Sequence, residues 1–132
     1  MAGETDLEAI LASLRIERRP EPVTVLTVAE PVGPGPGIEA LIVEDEGLTV
    51  VATVAEAERR GWPVGFVGAW LTVAVHTSLE GVGLTAVLAR ALADVDVACN
   101  VIAGNHHDHL LVPLERAEVA IEAIEALVSS RS

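Results

Sequence analysis

The chain has 132 residues, which is enough for one well-filled core or two small halves but too short for a catalytic domain joined to a regulatory one. Its 20 acidic residues against eight arginines and no lysine give a net charge of −12, so a phosphate backbone would be repelled and nucleic acid is not an expected partner. A single cysteine, Cys99, and the lack of a long apolar stretch predict a soluble, cytoplasmic protein without a disulfide framework.

The first third of the chain predicts a helix, a strand and a loop. Thr5 and Glu8 form a capping-box pair ahead of apolar residues at helical spacing, so a helix is expected there and should end by Pro20. Residues 23–28 have the β-branched content of a strand. The run PVGPGPG at 31–37 cannot form a helix because proline lacks the amide donor, so a loop follows.

A hairpin and a short helix are predicted next. The strand-like runs 40–43 and 48–52 flank the turn composition Glu-Asp-Glu-Gly at 44–47, in which glycine can adopt a positive φ. Thr53 then begins a second capping box, and the helix that follows should end at Gly61.

The second half of the chain predicts a strand, a helix, two strands and a closing helix. A long strand over 66–76 alternates between two faces, and a stripe of apolar residues indicates a helix from Leu84 to about Asp94. Strands over 97–103 and 107–113 follow, separated by a turn, and a helix with an acidic outer face covers 114–128.

These elements predict an α+β protein of two ferredoxin-like halves packed together, each with an antiparallel sheet and helices on one face. The first half, residues 1–65, reads β, loop, β, β, α after an extra N-terminal helix, and its first internal helix is replaced by the Pro/Gly loop. The second half, 66–132, reads β, α, β, β, α. The long strand that begins at Phe66 is placed to serve both halves.

Residues able to do chemistry cluster in the strand-to-helix turn at 76–85 and in the tract at 105–109. At the turn, Gly81 and Gly83 let the backbone approach a ligand, and the free N–H groups at the start of the following helix suit a carboxylate. Asn100 on a neighbouring strand is placed to accept a hydrogen bond from an amino group. A Gly-rich turn capped by its own hydroxyl groups is the alternative interpretation.

Two segments carry a family resemblance. Residues 76–85 read HTSLEGVGLT and residues 99–109 read CNVIAGNHHDH, and both resemble an ACT domain of the aspartokinase regulatory type. The whole chain is similar to small stand-alone tandem ACT proteins. The resemblance implies a regulatory, non-catalytic protein that binds an amino acid or close analogue, uses no cofactor and forms a homodimer.

The resemblance also implies where the effector binds. Its carboxylate would meet backbone N–H groups at the helix start, and its amino group would meet polar atoms of the second strand. The ligand-binding residues expected on this basis are Thr77, Ser78, Leu79, Val82, Gly83, Leu84, Thr85, Asn100, Val101 and His107.

Two other functions remain open from the sequence. The tract His106-His107-Asp108-His109, together with His76, contains enough ligands for zinc or another divalent ion, and the alternative metal-binding set is His76, His107 and His109. A metal-binding protein or a small metal-dependent hydrolase is therefore one alternative, although strand alternation places only two of the tract's histidines on one face. A purely structural dimerisation module with a vestigial ligand site is the other. Neither a nucleophile elbow, a Walker loop nor a CxxC motif occurs in the sequence.

Overall fold

The computed structural model describes residues 7–75 and 82–129, and the chain divides into two compact units. Unit 1 combines the residues up to Arg19 with those from Ala69 onward, and unit 2 comprises Pro20–Gly68. The helices are α1 Leu7–Ser13, α2 Val54–Arg59, α3 Leu84–Asp94 and α4 Ala117–Ser129. The strands are β1 Ile16–Arg18, β2 Val23–Val28, β3 Ile38–Glu44, β4 Gly47–Thr53, β5 Val67–Val73, β6 Asn100–Ala103 and β7 Asp108–Pro113.

The sheet of unit 1 has the strand order β1-β5-β7-β6. β1 pairs antiparallel with β5, with Ile16 opposite Val73, and β6 pairs antiparallel with β7, with Asn100 opposite Leu111. Helix α3 connects β5 to β6, and α4 follows β7. This is the ferredoxin-like α+β arrangement that the sequence predicts.

An aliphatic core holds unit 1 together. Alternate residues of β5 and β7 point into it, because successive side chains of a strand face opposite sides of the sheet. The apolar stripes of α1, α3 and α4 cover that face. Side chains exposed by no more than 3% at the centre of this core include Ile10, Leu11, Leu14, Leu71, Val73, Leu88, Leu92, Leu110, Val112, Ala120 and Ile124.

The N-terminal segment packs in unit 1, together with the residues from Ala69 onward. Helix α1 contributes to the core of unit 1, and β1 lies beside β5 as the fourth strand of the sheet. Two backbone bonds extend this pairing, from the Arg19 N–H to the Trp70 carbonyl at 3.0 Å and from the Ala74 N–H to the Arg15 carbonyl at 2.7 Å. The physical reason is that β5 offers an unpaired edge on the side away from β7, and β1 satisfies its backbone groups.

Unit 2 has the strand order β3-β4-β2, and the first residues of β5 lie next to β2, with Val23 opposite Gly68. Thr53 caps α2 as predicted, since its hydroxyl oxygen accepts a hydrogen bond from the Glu56 N–H at 3.1 Å. Between β2 and β3 the chain follows a loop in place of a helix. Gly37 in this loop has φ +80° and lies so close to the Glu56 side chain that a Cβ would be 2.7 Å from it.

The structure confirms most of the predicted elements. The hairpin formed by β3 and β4, helix α2, the two-faced strand β5 and helix α3 all occur where the sequence indicates them. The short strand β1 was not predicted, β6 begins later than expected, at Asn100, and the closing helix starts with a 3-10 turn over Leu114–Arg116. Across the ranges 7–75 and 82–129, no helix has both the length and the apolar character needed to cross a membrane.

The contribution of α1 to unit 1 is testable with a cavity-forming substitution. Leu11 is 0% exposed in this core, so Leu11→Ala is expected to lower the free energy of unfolding by about 2–5 kcal/mol. Urea denaturation followed by circular dichroism measures the change. Val43→Ala is the control, because Val43 is 90% exposed and its truncation should change the free energy by less than about 0.5 kcal/mol. Equal effects of the two substitutions would contradict the placement of α1 in the core.

Candidate functional site

The predicted carboxylate site lies at the start of α3. Gly83 is the N-cap, with φ +108°, a conformation that glycine adopts at little cost and that side-chain-bearing residues rarely adopt. Leu84 turns into the core, whereas Val82 is 86% exposed and Thr85 is exposed. A Cβ on Gly83 would be 3.1 Å from the Leu7 side chain of α1, so the backbone here is closely packed on its inner side and open on its outer side.

Among the described residues, the start of α3 has neither a side-chain cap from Gly83 nor an acidic residue in its first turn. The first N–H groups of an α-helix have no partner within the helix, and the helix dipole adds partial positive charge at the same end. In a protein of net charge −12, the start of α3 is therefore a local site suited to a carboxylate.

The predicted strand residues lie on β6, at the edge of the unit 1 sheet. Val101 is opposite Leu110, whose side chain points into the core, so Val101 shares the face that the helices cover. Asn100 is exposed, is opposite Leu111 and lies on the other face. The two residues therefore present different side chains to different surfaces of one edge strand.

His107 lies in the turn between β6 and β7. Its carbonyl oxygen accepts a hydrogen bond from the Gly104 N–H at 2.9 Å, which closes the hairpin. Its Nδ1 atom is buried and has no hydrogen-bond partner among the described residues. Because Thr72 near the end of β5 contacts His109 near the start of β7, this hairpin lies at the end of the sheet where β5 ends. The predicted residues Thr77, Ser78 and Leu79, and also His76, lie outside the described residues.

A polar cluster that sequence analysis did not assemble lies on the opposite face of the same sheet. The Trp70 Nε1–H donates a hydrogen bond to the Thr72 hydroxyl oxygen at 3.2 Å, and that oxygen is 3.0 Å from His109 Nδ1. The Trp70 and His109 ring centroids are 4.9 Å apart, and the guanidinium carbon of Arg19 lies 4.9 Å from the centre of the Trp70 ring. These contacts fix a buried tryptophan between a cation and an imidazole.

Burial lowers the pKa of His109 from its ordinary value of 6.5, and electrostatic interactions with Arg19 and His107 lower it further, against a smaller opposite effect of Asp108. The ring is therefore neutral near pH 7. The Thr72 oxygen already accepts a hydrogen bond from the Trp70 indole N–H. The Thr72 hydroxyl can therefore donate to His109 Nδ1 when the ring proton of His109 is assigned to Nε2. The cluster is thus held together by its neutral form.

The histidine tract does not assemble a metal centre in the part of the chain that the structure covers. Over residues 7–75 and 82–129, no three His, Cys, Asp or Glu side chains come together as a ligand group. His109 is bonded to Thr72 by Nδ1, and His107 lies at the hairpin turn. A ligand set that includes His76 lies outside the described residues.

The order of the strands and the geometry of α3 agree with a match to known families. Residues 66–126 match the model of an ACT domain, and residues 2–69 match a second ACT domain model. The chain belongs to the ACT domain family. Its two matches follow one another along the sequence, so the protein is a tandem ACT-domain protein, as the sequence predicts.

Solved structures resemble this ACT protein over most of its length. A crystal structure of a Vibrio cholerae protein of unknown function, described as a possible transport protein, is 33% identical, with a TM-score of 0.80 over 92% of this chain and 95% of that chain. An Agrobacterium tumefaciens protein is 16% identical, with a TM-score of 0.59 over 87% of each chain, and this likeness concerns the fold alone. No curated protein matches the chain.

Membership of the ACT family indicates a small-molecule-binding, regulatory role, since ACT domains are typically regulatory rather than catalytic and often oligomerise. The residues that sequence analysis missed in this ACT protein are Arg19 and Thr72. Strand alternation in the sequence does place Trp70 and Thr72 on one face. Only the pairing of β5 with β7 brings His109 to them.

The pKa of His109 predicts a specific pH dependence of stability. Below pH 6.5 the unfolded chain takes up a proton on this histidine before the folded protein does, so the folded state loses stability as the pH falls from about 6.5 to the lower folded pKa. Above pH 6.5 the residue contributes no pH dependence. NMR titration of the His109 ring should give a pKa below 6.5, and His109→Gln should flatten this part of the stability profile. A ring that titrates at or above 6.5 would contradict the assignment.

The Thr72 hydroxyl group is expected to stabilise the fold, in contrast to a second buried hydroxyl group. Thr72→Val leaves the Trp70 indole N–H and His109 Nδ1 without their partner and should cost about 1–3 kcal/mol of unfolding free energy. Thr24→Val is the matched control, because the Thr24 hydroxyl is fully buried and has no hydrogen-bond partner among the described residues. That substitution should be neutral or stabilising by about 1 kcal/mol. Urea denaturation of both variants measures the difference, and the opposite order would refute this account.

Proposed function

We propose that this ACT protein is a cytoplasmic sensor that binds a free amino acid or close analogue and regulates without catalysing a reaction. The observation that carries the proposal is the open, glycine-led start of α3, which has no side-chain cap from Gly83 and no acid in its first turn. Family membership supports a small-molecule effector. The uncapped helix start supports a carboxylate as the group that is recognised.

The carboxylate contacts in this proposal are made by the main chain. The N–H groups of Val82, Gly83, Leu84 and Thr85 surround the helix start, and the positive φ of Gly83 allows the ligand to approach the backbone closely. Thr77, Ser78 and Leu79 are further candidate ligand contacts in this proposal. Main-chain recognition explains why the site needs no arginine or lysine in a chain with few of them.

The amino group of the effector is assigned to the edge strand β6. Asn100 is exposed there, and its side-chain oxygen is able to accept a hydrogen bond from an ammonium group. The Asn100 side chain and the core-packed helix face lie on opposite faces of the unit 1 sheet. The site therefore forms in a homodimer. Strand β6 of the second protomer contributes Asn100 and Val101, and His107 orders the adjoining hairpin.

Regulation in this scheme is a shift in the populations of two arrangements of the dimer. An effector that binds one arrangement of the dimer more tightly raises its population by the difference in binding free energy. A protein that reads the sensor then contacts the favoured arrangement. The scheme requires differential binding only, and no bond of the effector is made or broken.

A charge substitution at the helix start tests the carboxylate site. Thr85 is exposed in the first turn of α3, so Thr85→Glu should preserve the fold and stabilise the helix start by about 0.3–1 kcal/mol through the dipole. The same carboxylate competes with and repels a bound effector, and affinity should fall by at least about tenfold, or about 1.4 kcal/mol. Thr85→Gln is the neutral control of the same length and should retain binding.

The measurement begins with chelator-treated protein and the twenty amino acids in a thermal-shift screen, followed by calorimetric titration of the amino acid that stabilises it. At about 100 times its dissociation constant, a true effector adds about 2.7 kcal/mol and moves the midpoint by several degrees. Equal affinity of the Thr85→Glu and Thr85→Gln proteins would overturn the carboxylate assignment. If no amino acid shifts the melting midpoint and the dimer survives dilution, the structural dimerisation module is favoured instead.

A further inference from the structure

Unit 2 contains a surface cavity of about 540 Å³ that the effector site in unit 1 does not involve. Three segments line it: the end of β2, the loop that follows, and the residues just after α2. Its volume lies within the range of roughly 300–1,000 Å³ typical of small-molecule sites. The lining residues are Leu26, Thr27, Val28, Ala29, Glu30, Pro31, Val32, Arg60, Trp62 and Pro63.

Local backbone chemistry shapes this cavity. Prolines in the loop over 31–37 exclude a helix after β2, so the lining there is an irregular loop. At the end of α2, Gly61 adopts φ +74°, and the Trp62 N–H bonds to the Ala57 carbonyl at 2.9 Å. This is the bonding pattern of a glycine C-cap, and it fixes the direction in which Trp62 leaves the helix.

Arg60 is held in position at the wall of the cavity. Its Nε–H donates to Glu56 Oε2 at 2.6 Å, and its guanidinium carbon lies 4.9 Å from the centre of the Trp62 ring. The bond to Glu56 occupies Nε, so the N–H groups on Nη1 and Nη2 form a separate edge of the guanidinium. An arginine fixed by stacking and by a carboxylate loses little freedom when it binds an anion through that edge.

Glu56 bridges two arginines beside the cavity. Glu56 accepts hydrogen bonds from both Arg59 and Arg60, and these bonds lower the pKa of its carboxyl group to about 2, so it stays ionised. One carboxylate faces two guanidinium groups, and the trio keeps a single positive charge. One of its two arginines lines the cavity, and Glu30 in the same lining offsets that charge.

We propose that this cavity binds a small monocarboxylate with an apolar body. The Nη edge of Arg60 holds the carboxylate as a bidentate pair, and the apolar part lies against Trp62 and the aliphatic and proline side chains of the β2 end and its loop. Glu30 in the same lining disfavours a second carboxylate on the ligand. The site is independent of the start of α3.

The experiment uses the two tryptophans as reporters. The full chain, labelled with nitrogen-15, gives an indole N–H signal for each of Trp62 and Trp70, and Trp62→Phe assigns them. Titration with 4-methylpentanoate should shift the Trp62 signal and leave the Trp70 signal in place. The neutral 4-methylpentanamide and the dicarboxylate glutarate should each bind at least about tenfold more weakly.

Two arginine variants form a matched pair. Arg60→Gln should weaken 4-methylpentanoate binding at least about tenfold, whereas Arg59→Gln, which removes a guanidinium that does not line the cavity, should bind within about twofold of the original protein. An unmoved Trp70 signal shows that each variant is folded. Thr85→Glu should leave this binding intact, which separates the cavity from the effector site.

Three results would overturn the proposal. These are a Trp62 signal that does not move at millimolar 4-methylpentanoate, equal binding of the amide and the acid, and equal loss of binding in the Arg59→Gln and Arg60→Gln proteins. The amide comparison uses the unaltered chain and therefore stands even where a variant unfolds.

Discussion

The alternation of side chains along β5 is the constraint on which the rest of unit 1 depends. Ala69, Leu71 and Val73 point into the aliphatic core, and the residues between them, Trp70 and Thr72, point to the other face. A shift of one residue would exchange the two sets and bury the Thr72 hydroxyl among leucines. The register therefore fixes both the helix-covered core and the polar cluster around His109.

The same strand explains the role of the N-terminal segment. β5 pairs with β7 on one side, and its other edge would otherwise present unpaired backbone groups. β1 covers that edge, while α1 and the residue after it place Leu11 and Leu14 in the core beneath it. One short segment thus satisfies main-chain hydrogen bonds and apolar burial together, and the Gly83 turn at the start of α3 packs against Leu7 of the same segment.

The arginines of this acidic protein differ in their surroundings. Ion pairs on the surface, such as Arg18 with Glu118 at 2.8 Å and Arg90 with Asp94 at 3.0 Å, contribute little because water screens them. Arg19 and Arg60, in contrast, lie over the rings of the two tryptophans. The two sites proposed for a carboxylate differ in chemistry, since the start of α3 would use oriented amides and Arg60 a formal charge.

The sequence by itself determined the local structure and the family. Capping residues, apolar periodicity and the Pro/Gly run act over a few neighbouring residues. The Thr53 cap, the apolar stripe of α3 and the loop after β2 could therefore be predicted from the sequence alone. The motifs around Gly83 and Asn100 indicated an ACT domain. Tertiary structure alone decided that β1 pairs with β5, that Thr72 meets His109, and that Arg60 lines a cavity with the end of β2. These contacts join residues far apart in the chain. Their geometry depends on strand register and chain direction, which no short pattern of residues encodes.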